Sequence, residues 1–570
     1  MVRVRFSSGA HFALWTGTLG AGVYWYDRHY QASSLIRTCR TLYHDAAIIA
    51  DYKWNFQPDK ADRIDSLHTR VAQRILHVCQ KNNGLYIKLG QAIALYSTVL
   101  PPQYNEIFKV LYDRAPNVPY HEIQQVFLRE FGHSPEELFA IFEREPVASA
   151  SVAQVHRAQM KPDPVTGEAP WVAVKIQKPA IAKQLEWDLS VIRFVVWGLE
   201  KAFDLPLLWS MEYTNQHLRQ EVDFVNEAHN ADQARALLAQ DTHLARHLYI
   251  PKVYWELTRP TVLTAEWIDG MPMSEVVMSP PQRSFYTPAQ IMDTIVSTFA
   301  QQIFVNGLVH CDPHPGNLLL RPHPQDPRTY QVVLIDHGLY IRESETFRTD
   351  YCQLWKSIYL MDRDTIGRIC HRWGVGDSDM MASFTLLRPF TQQQRHRPLH
   401  LKATVSKEEI YAMQLSLKER VHQFLLNTEL FPRELIFVGR NMNMVRALNK
   451  AMGAPVNRTN IMANYAAKGL GSNWGAWSYI TPASRSTKFP LRSLVDWLIF
   501  VVKTRFSFYS FRLNLWVISV VFYFHQAWER VMQWAIHRPA KNFEQLMDES
   551  LLRTLEDQLG YKVDISFLDA

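Results

Sequence analysis

Two short clusters, at positions 310–317 and 336–338, limit what this chain can fold into more than any other part of it. The first reads His310-Cys311-Asp312-Pro313-His314-Pro315-Gly316-Asn317. The second, Asp336-His337-Gly338, closes the short apolar run Val332-Val333-Leu334-Ile335. An Asp, an Asn five residues later and a second Asp at a strand end supply oxygen donors for a hard cation held beside dispersed negative charge. Asn317 and Asp336 are the candidate ligands for Mg²⁺, and Asp312 is placed to orient an attacking hydroxyl or water. The layout requires a Lys on an earlier strand.

Trp171-Val172-Ala173-Val174-Lys175-Ile176 is a β-rich run matching the kinase pattern V-A-I-K, which points Lys175 at the α and β phosphates of a nucleotide. Upstream, where a kinase carries a glycine-rich loop, Ala148, Ser149, Ala150 and Ser151 stand instead as the nucleotide-binding candidates. Small side chains let backbone approach phosphate, but Ala is stiffer than Gly at positive φ. A carboxylate must hold Lys175. The polar stretch 221–228, expected to be helical, offers Glu221 first and Glu227 second. Val262 to Gly270 reads as a strand leaving through a hinge, whose backbone and Glu266 would face adenine.

These residues, with Lys88-Leu89-Gly90-Gln91, resemble the UbiB-type atypical kinases, also called aarF-domain-containing kinases. The shared marks are the Ala-rich loop, Lys-x-Gly-Gln, Glu-x-Asp at 221–223, His-x-Asp-Pro-His-x-Gly-Asn and Asp-x-Gly, spread from about Gly84 to Gly338. The resemblance implies an α+β, protein-kinase-like two-lobed fold with ATP and Mg²⁺ as cofactors, and Asp312 and Lys175 as catalytic residues. It also implies a regulatory helix, carrying Lys88 and Gln91, that lies over the site and restricts large substrates. His337 stands where ordinary kinases have a switching Phe. The N-terminal organisation is most similar to a mitochondrial subgroup implicated in lipid homeostasis, and that role enters by resemblance alone.

A low charged fraction (20%) and a rich aromatic one (12%) lean towards a membrane-associated protein. A net charge of +6 suits anionic lipid and is too small to argue for nucleic acid. Five cysteines without a CxxC pair argue against a disulfide framework or zinc ribbon. His310, Cys311, Asp312 and His314 are too crowded, between two prolines, for a tetrahedral zinc site.

Met1 to Tyr26 has no Asp or Glu, carries Arg3 and Arg5, and runs apolar from Ala10. Such a start fits mitochondrial import. As a helix, Ala10 to Tyr26 would span about 26 Å, against a hydrocarbon core of about 30 Å. An uncleaved anchor is favoured over a cleaved presequence or a secretory signal. With the arginines on the matrix side, an inner-membrane anchor would leave the kinase body in the intermembrane space.

The expected organisation is an anchor (1–29), a helical extension (30–143), a smaller lobe (144–270), a larger lobe (271–480) and a helical tail (481–570). In the extension Leu67, Val71, Ile75 and Val78 keep helical spacing. In the larger lobe Ile291, Ile295, Phe299 and Ile303 form an apolar row ahead of the catalytic loop. Gly471 to Pro490 reads as a linker. Beyond it, two apolar pieces, Trp497–Val502 and Leu513–Phe524, are each too short to span a bilayer. The basic and aromatic residues between them suit a membrane surface. Equally, Leu513, Trp516, Val517, Val520, Val521 and Phe524 form a stripe fit to pack on the larger lobe.

Two functional classes remain: an ATP-binding phosphotransferase or ATPase, and a nucleotide-regulated pseudokinase. Within the first, a small-molecule kinase similar to aminoglycoside phosphotransferases shares the His-x-Asp and the Asn, but Lys88-Leu89-Gly90-Gln91 tells against it. The expected partners are ATP or ADP and mitochondrial membrane lipids.

Overall fold

The computed structural model describes residues 22–27, 32–95, 101–112, 117–204, 208–278, 286–376, 378–386, 431–471, 491–536, 542–546 and 549. The leading segment 1–21 and the expected linker at 472–490 lie outside these residues. The chain divides into two compact units. The first is drawn from Met1–Ala228 and Val253–Trp267, the second from His229–Lys252, Ile268–Leu401 and Asn427–Ala570.

The first unit opens with helices α1 (Ser34–Asn55), α2 (Ile64–Asn82), α3 (Leu85–Leu95) and α4 (Pro102–Phe108). The predicted apolar row lies on α2. Leu67 and Val71 join Ile48, Tyr104 and Phe108 in one core, Ile75 packs against it, and Val78 is buried with Tyr86 and Ile192. Lys88 and Gln91 ride on α3. A Cβ added at Gly90 would collide with the Leu111 side chain and come within 3.0 Å of Cys79 Sγ, so glycine lets α3 pack close at this point.

Helix α5 (Tyr120–Phe131) covers an antiparallel sheet of order β1-β3-β4-β6, with β2 paired to β3. The strands are β1 (Phe139–Phe142), β2 (Ala148–Ser149), β3 (Ala153–Met160), β4 (Trp171–Gln177) and β6 (Val262–Glu266). Val172, Val174 and Ile176 alternate inward from β4 against Ile123, Phe127 and Phe139. The expected helical stretch up to residue 143 is thus interrupted. Phe139 and Phe142 each meet Phe127 edge-on, and burying these rings on the sheet draws the segment into a strand. The turn after β3 is built on Asp163, which accepts from Val165 and Thr166 N–H at 2.7 and 3.0 Å, and Gly167 takes φ 71°.

Residues 221–228 are not one helix, as the sequence reading expected. After helix α6 (Pro179–Phe203), helix α7 (Leu208–Glu221) stops, and α8 (Phe224–Leu238) begins after Asp223, whose carboxylate accepts the Val225 N–H at 3.0 Å. An Asp at this point caps the second helix and breaks the first.

The second unit contains a sheet of order β5-β10-β9-β7, with β5 (Leu248–Tyr249), β7 (Met271–Pro272), β9 (Leu318–His323) and β10 (Asp326–Leu334). A separate ribbon pairs β8 (Leu308–His310) with β11 (Tyr340–Arg342). Helix α9 (Pro288–Ala300) starts on a Thr287–Gln290 capping box and runs into a π-helical turn, Gln301–Asn306. Ile291, Ile295, Phe299 and Ile303 are all buried, as their spacing predicted. Around them stand α10 (Glu345–Tyr359), α11 (Arg363–Arg372), α12 (Glu434–Ala451) and α13 (Arg458–Leu470).

The tail departs from expectation. Both apolar pieces lie on one 46-residue helix, α14 (Leu491–Ile536). Its segment Phe506–Gln533, 28 residues, contains an 18-residue window of mean hydropathy 1.2 and is long and apolar enough to cross a membrane by length and composition. Of the two readings left open for the stripe, packing on the larger lobe is the one the exposures do not support. Leu513, Trp516, Val517, Val520, Val521 and Phe524 are all exposed, while Phe511, Leu515 and Phe522 are buried.

Candidate active site

In the first unit, pairing places Lys175 at the centre of the sheet, opposite Val155 on β3 and Leu263 on β6. Its ammonium meets both carboxylate oxygens of Glu227, at 2.8 and 2.9 Å, and lies 5.3 Å from the centre of the Phe224 ring. Glu227 is almost wholly buried, with 2% of its side chain exposed. The partner of Lys175 is therefore Glu227, not the first-ranked Glu221. Glu221 ends α7, three residues before α8, and its carboxylate takes the ammonium of Lys88 instead. Gln91 Nε2 donates to the Leu111 carbonyl at 2.9 Å, which ties the same helix face down.

Ala148 and Ser149 form β2, in register with Val155 and Gln154. The Ala150 N–H closes a tight turn onto the Ala153 carbonyl at 2.8 Å, and Ser151 is buried. Glu266 ends β6 opposite Val172.

In the second unit, one imidazole joins the two acidic motifs. His310 Nε2 lies 2.7 Å from the Asp336 carbonyl, and the Asp312 N–H donates to His310 Nδ1 at 2.9 Å. A carbonyl only accepts, so the ring proton sits on Nε2 and Nδ1 carries none. Burial pushes the His310 pKa down and keeps the ring neutral. His310 is itself fixed through its backbone. Gln302 accepts its N–H at 3.0 Å, and Asn441 donates to its carbonyl at 2.6 Å.

Asn317 Nδ2 donates to the Asp312 carbonyl at 3.1 Å, which leaves the amide oxygen as the atom available to a hard cation. The Asn317 carbonyl accepts the Ile335 N–H at 3.1 Å, which sets Asn317 beside the strand end that carries Asp336. Asp336 Oδ1 accepts the Gly338 N–H at 3.0 Å. Two side-chain oxygens brought together this way fit Mg²⁺, which keeps several waters and takes one or two protein ligands. Among the described residues no three His, Cys, Asp or Glu side chains converge as a metal cluster. His337 packs into the loop between the Tyr340 hydroxyl (3.0 Å) and the Leu334 carbonyl (3.1 Å), and burial pulls its pKa down to about 3.

One contact escaped the sequence reading. Arg440, on α12, donates to Asp312 Oδ1 at 2.9 Å. It stands 128 residues away in the chain, inside an ordinary helix, and no motif or period marks it.

Glu343, directly after β11, closes the ribbon with a backbone bond to Gly307 at 2.9 Å. Both of its carboxylate oxygens are buried with no hydrogen-bond partner, and burial raises its pKa well above the ordinary value, partly offset by the charge of Arg348. A raised native pKa favours folding below the unfolded carboxyl value, about 4.3, and this contribution is lost as pH rises towards the native value. Glu343→Gln should therefore gain stability relative to the wild type as pH rises from 4.3, by about 1.4 kcal/mol per pH unit until the native pKa is passed. Urea denaturation of both proteins between acidic and neutral pH measures it, and parallel curves would show that Glu343 is not held protonated.

Residues 110–370 match the family described as the ABC1 atypical kinase-like domain. An ABC1 family protein of Schizosaccharomyces pombe is 39% identical, over 80% of this chain and 83% of the relative. AarF domain-containing protein kinase 1 of Xenopus laevis is 29% identical, over 80% and 84% respectively. A probable serine/threonine-protein kinase, abkD, of Dictyostelium discoideum is 34% identical, over 77% of this chain and 62% of that protein. With the same motifs carried on a mixed helix-and-sheet, kinase-like framework, the chain belongs to the ABC1, or AarF-domain, family of atypical kinases, the UbiB-type family.

Proposed function

We propose that the chain is a Mg²⁺-ATP-dependent phosphotransferase or ATPase that acts in lipid homeostasis at a mitochondrial membrane. The observation that carries the chemical part is the His310 bridge, which holds the Asp312 backbone and the Asp336 carbonyl on one neutral ring, with Asn317 tied to both segments. Bound there, Mg²⁺-ATP would supply the transferable phosphoryl group and the cation that screens it. Asn317 and Asp336 hold the metal. Lys175, braced by Glu227, meets phosphate charge. Asp312 orients the attacking oxygen, and Arg440 fixes the rotamer of Asp312.

Mg²⁺-ATP should raise the melting temperature, since a ligand at a hundred times its Kd stabilises by about 2.7 kcal/mol. Asp336→Asn should cut that shift by removing a charged metal ligand. A folded protein whose melting is unmoved by millimolar Mg²⁺-ATP would remove the site from consideration.

The Arg440–Asp312 ion pair favours a second reading, a nucleotide-regulated protein that transfers nothing, because a guanidinium occupies one carboxylate oxygen of Asp312. Turnover by the purified wild type, with and without vesicles, separates the two.

The mitochondrial and lipid parts rest on the acid-free, arginine-bearing start and on the family subgroup it resembles. The full chain should resist carbonate extraction from mitochondria, and its kinase body should be digested once the outer membrane is opened. Recovery in the carbonate supernatant would exclude the anchor, and protection of the body in mitoplasts would exclude the orientation.

A further inference from the structure

Helix α14 is built inside out. Its polar side chains turn towards the second unit and bond to it. Asn514 donates to the Tyr359 carbonyl at 2.8 Å, and Gln526 to the Ala454 carbonyl at 3.1 Å. Asn460 of α13 donates to the Leu515 carbonyl at 2.8 Å and to the Ser519 hydroxyl at 2.6 Å. Phe511, Leu515 and Phe522 are buried on that same side. The outward side is apolar: Leu513, Trp516, Val517, Val520, Val521 and Phe524 are between 44% and 70% exposed. From Leu513 to Trp528 the chain has no Asp, Glu, Lys or Arg. A helix on the surface of a water-soluble body has the opposite polarity.

We propose that this outward face of α14 contacts a lipid bilayer and lies along its interface. The inference is independent of any phosphoryl transfer. Three features select lipid over other occupants. At about 100° per residue the six exposed side chains cover an arc of about 140°, wider than the narrow seam by which a helix pairs with a second copy. The segment Phe506–Gln533 reaches the apolarity of a membrane helix. Trp516, Tyr523, Phe524 and Trp528 are exposed on it, and Trp and Tyr are the side chains that settle at the boundary between headgroups and acyl chains. The helix lies in the plane rather than across because the second unit is bonded alongside it from Asn514 to Gln526. Only one side is free to enter lipid, as in an interfacial amphipathic helix.

The test uses the full chain in vesicles of phosphatidylcholine and phosphatidylglycerol, four to one. An environment-sensitive fluorophore is placed on Val520→Cys, in a Cys39→Ser background that removes the one exposed native thiol. The same label on Val165→Cys, at the 93% exposed turn after β3, is the aqueous reference. The Val520 label should be quenched by lipids brominated near the headgroup more than by lipids brominated near the chain ends. It should also be shielded from iodide by at least about threefold relative to the Val165 label, given an apolar face sunk about 5–10 Å. Trp516→Glu with Phe524→Glu should abolish both effects and leave the melting temperature unchanged, since both side chains point away from the body. Iodide access equal at the two labels, strongest quenching from the deepest bromines, or shielding that appears without lipid and grows with protein concentration would each overturn the proposal. They would mean a water-exposed face, a spanning helix and a second copy, respectively.

Discussion

Asp312→Asn should lower phosphoryl transfer or ATP hydrolysis by about 10²- to 10⁴-fold, the usual contribution of a positioned acid–base group. The substitution keeps the shape of the side chain. It keeps the backbone contacts of residue 312 to His310 and Asn317, because both use main-chain atoms. The metal ligands Asn317 and Asp336 are untouched, so the Mg²⁺-ATP melting shift should persist. Loss of turnover with retained binding is the signature expected of a group that acts on the attacking oxygen rather than on the nucleotide. A variant that turns over ATP at the wild-type rate would show that Asp312 has no part in the chemistry.

Glu227→Gln and Glu221→Gln should behave differently, although the sequence presents both as candidates for the same task. Removing one partner of a buried pair costs about 3–5 kcal/mol, and the partial exposure of Lys175, 23%, brings the expected loss to about 1–3 kcal/mol. Glu227→Gln should also abolish the ATP-dependent melting shift, because the Lys175 ammonium is no longer held. Glu221→Gln should cost less, about 1 kcal/mol, because Glu221 keeps a fifth of its side chain exposed where Glu227 keeps 2%, and it should leave the Lys175 pair and the ATP shift in place. The reverse pattern, with nucleotide response lost only in Glu221→Gln, would assign Lys175 to Glu221 in the working protein.

The same segment shows where a linear reading stops. Glu221 and Glu227 are chemically equal as letters. Which of them reaches Lys175 depends on a helix break that Asp223 makes by accepting the Val225 N–H, and on α8 setting Glu227 next to β4. Lys-x-Gly-Gln was legible as a motif, but the carboxylate opposite Lys88 was not.

The sequence by itself determined the local motifs and the family. The fixed spacing of Asp312, Asn317 and Asp336, the strand around Lys175 and the apolar row of α9 are short-range patterns, and short-range patterns survive reading along one dimension. Tertiary structure alone decided the rest. It chose Glu227 for Lys175, brought Arg440 to Asp312 across 128 residues, and made His310 the link between the two acidic motifs. It also turned the apolar stripe of the tail outward. A stripe of Leu, Trp, Val and Phe has the same period whether it faces a core or a lipid, and only the polar contacts of Asn514, Ser519 and Gln526 to the body settle which side of α14 is inside. Periodicity fixes which residues share a face; the partner of that face is fixed by what the rest of the chain brings against it.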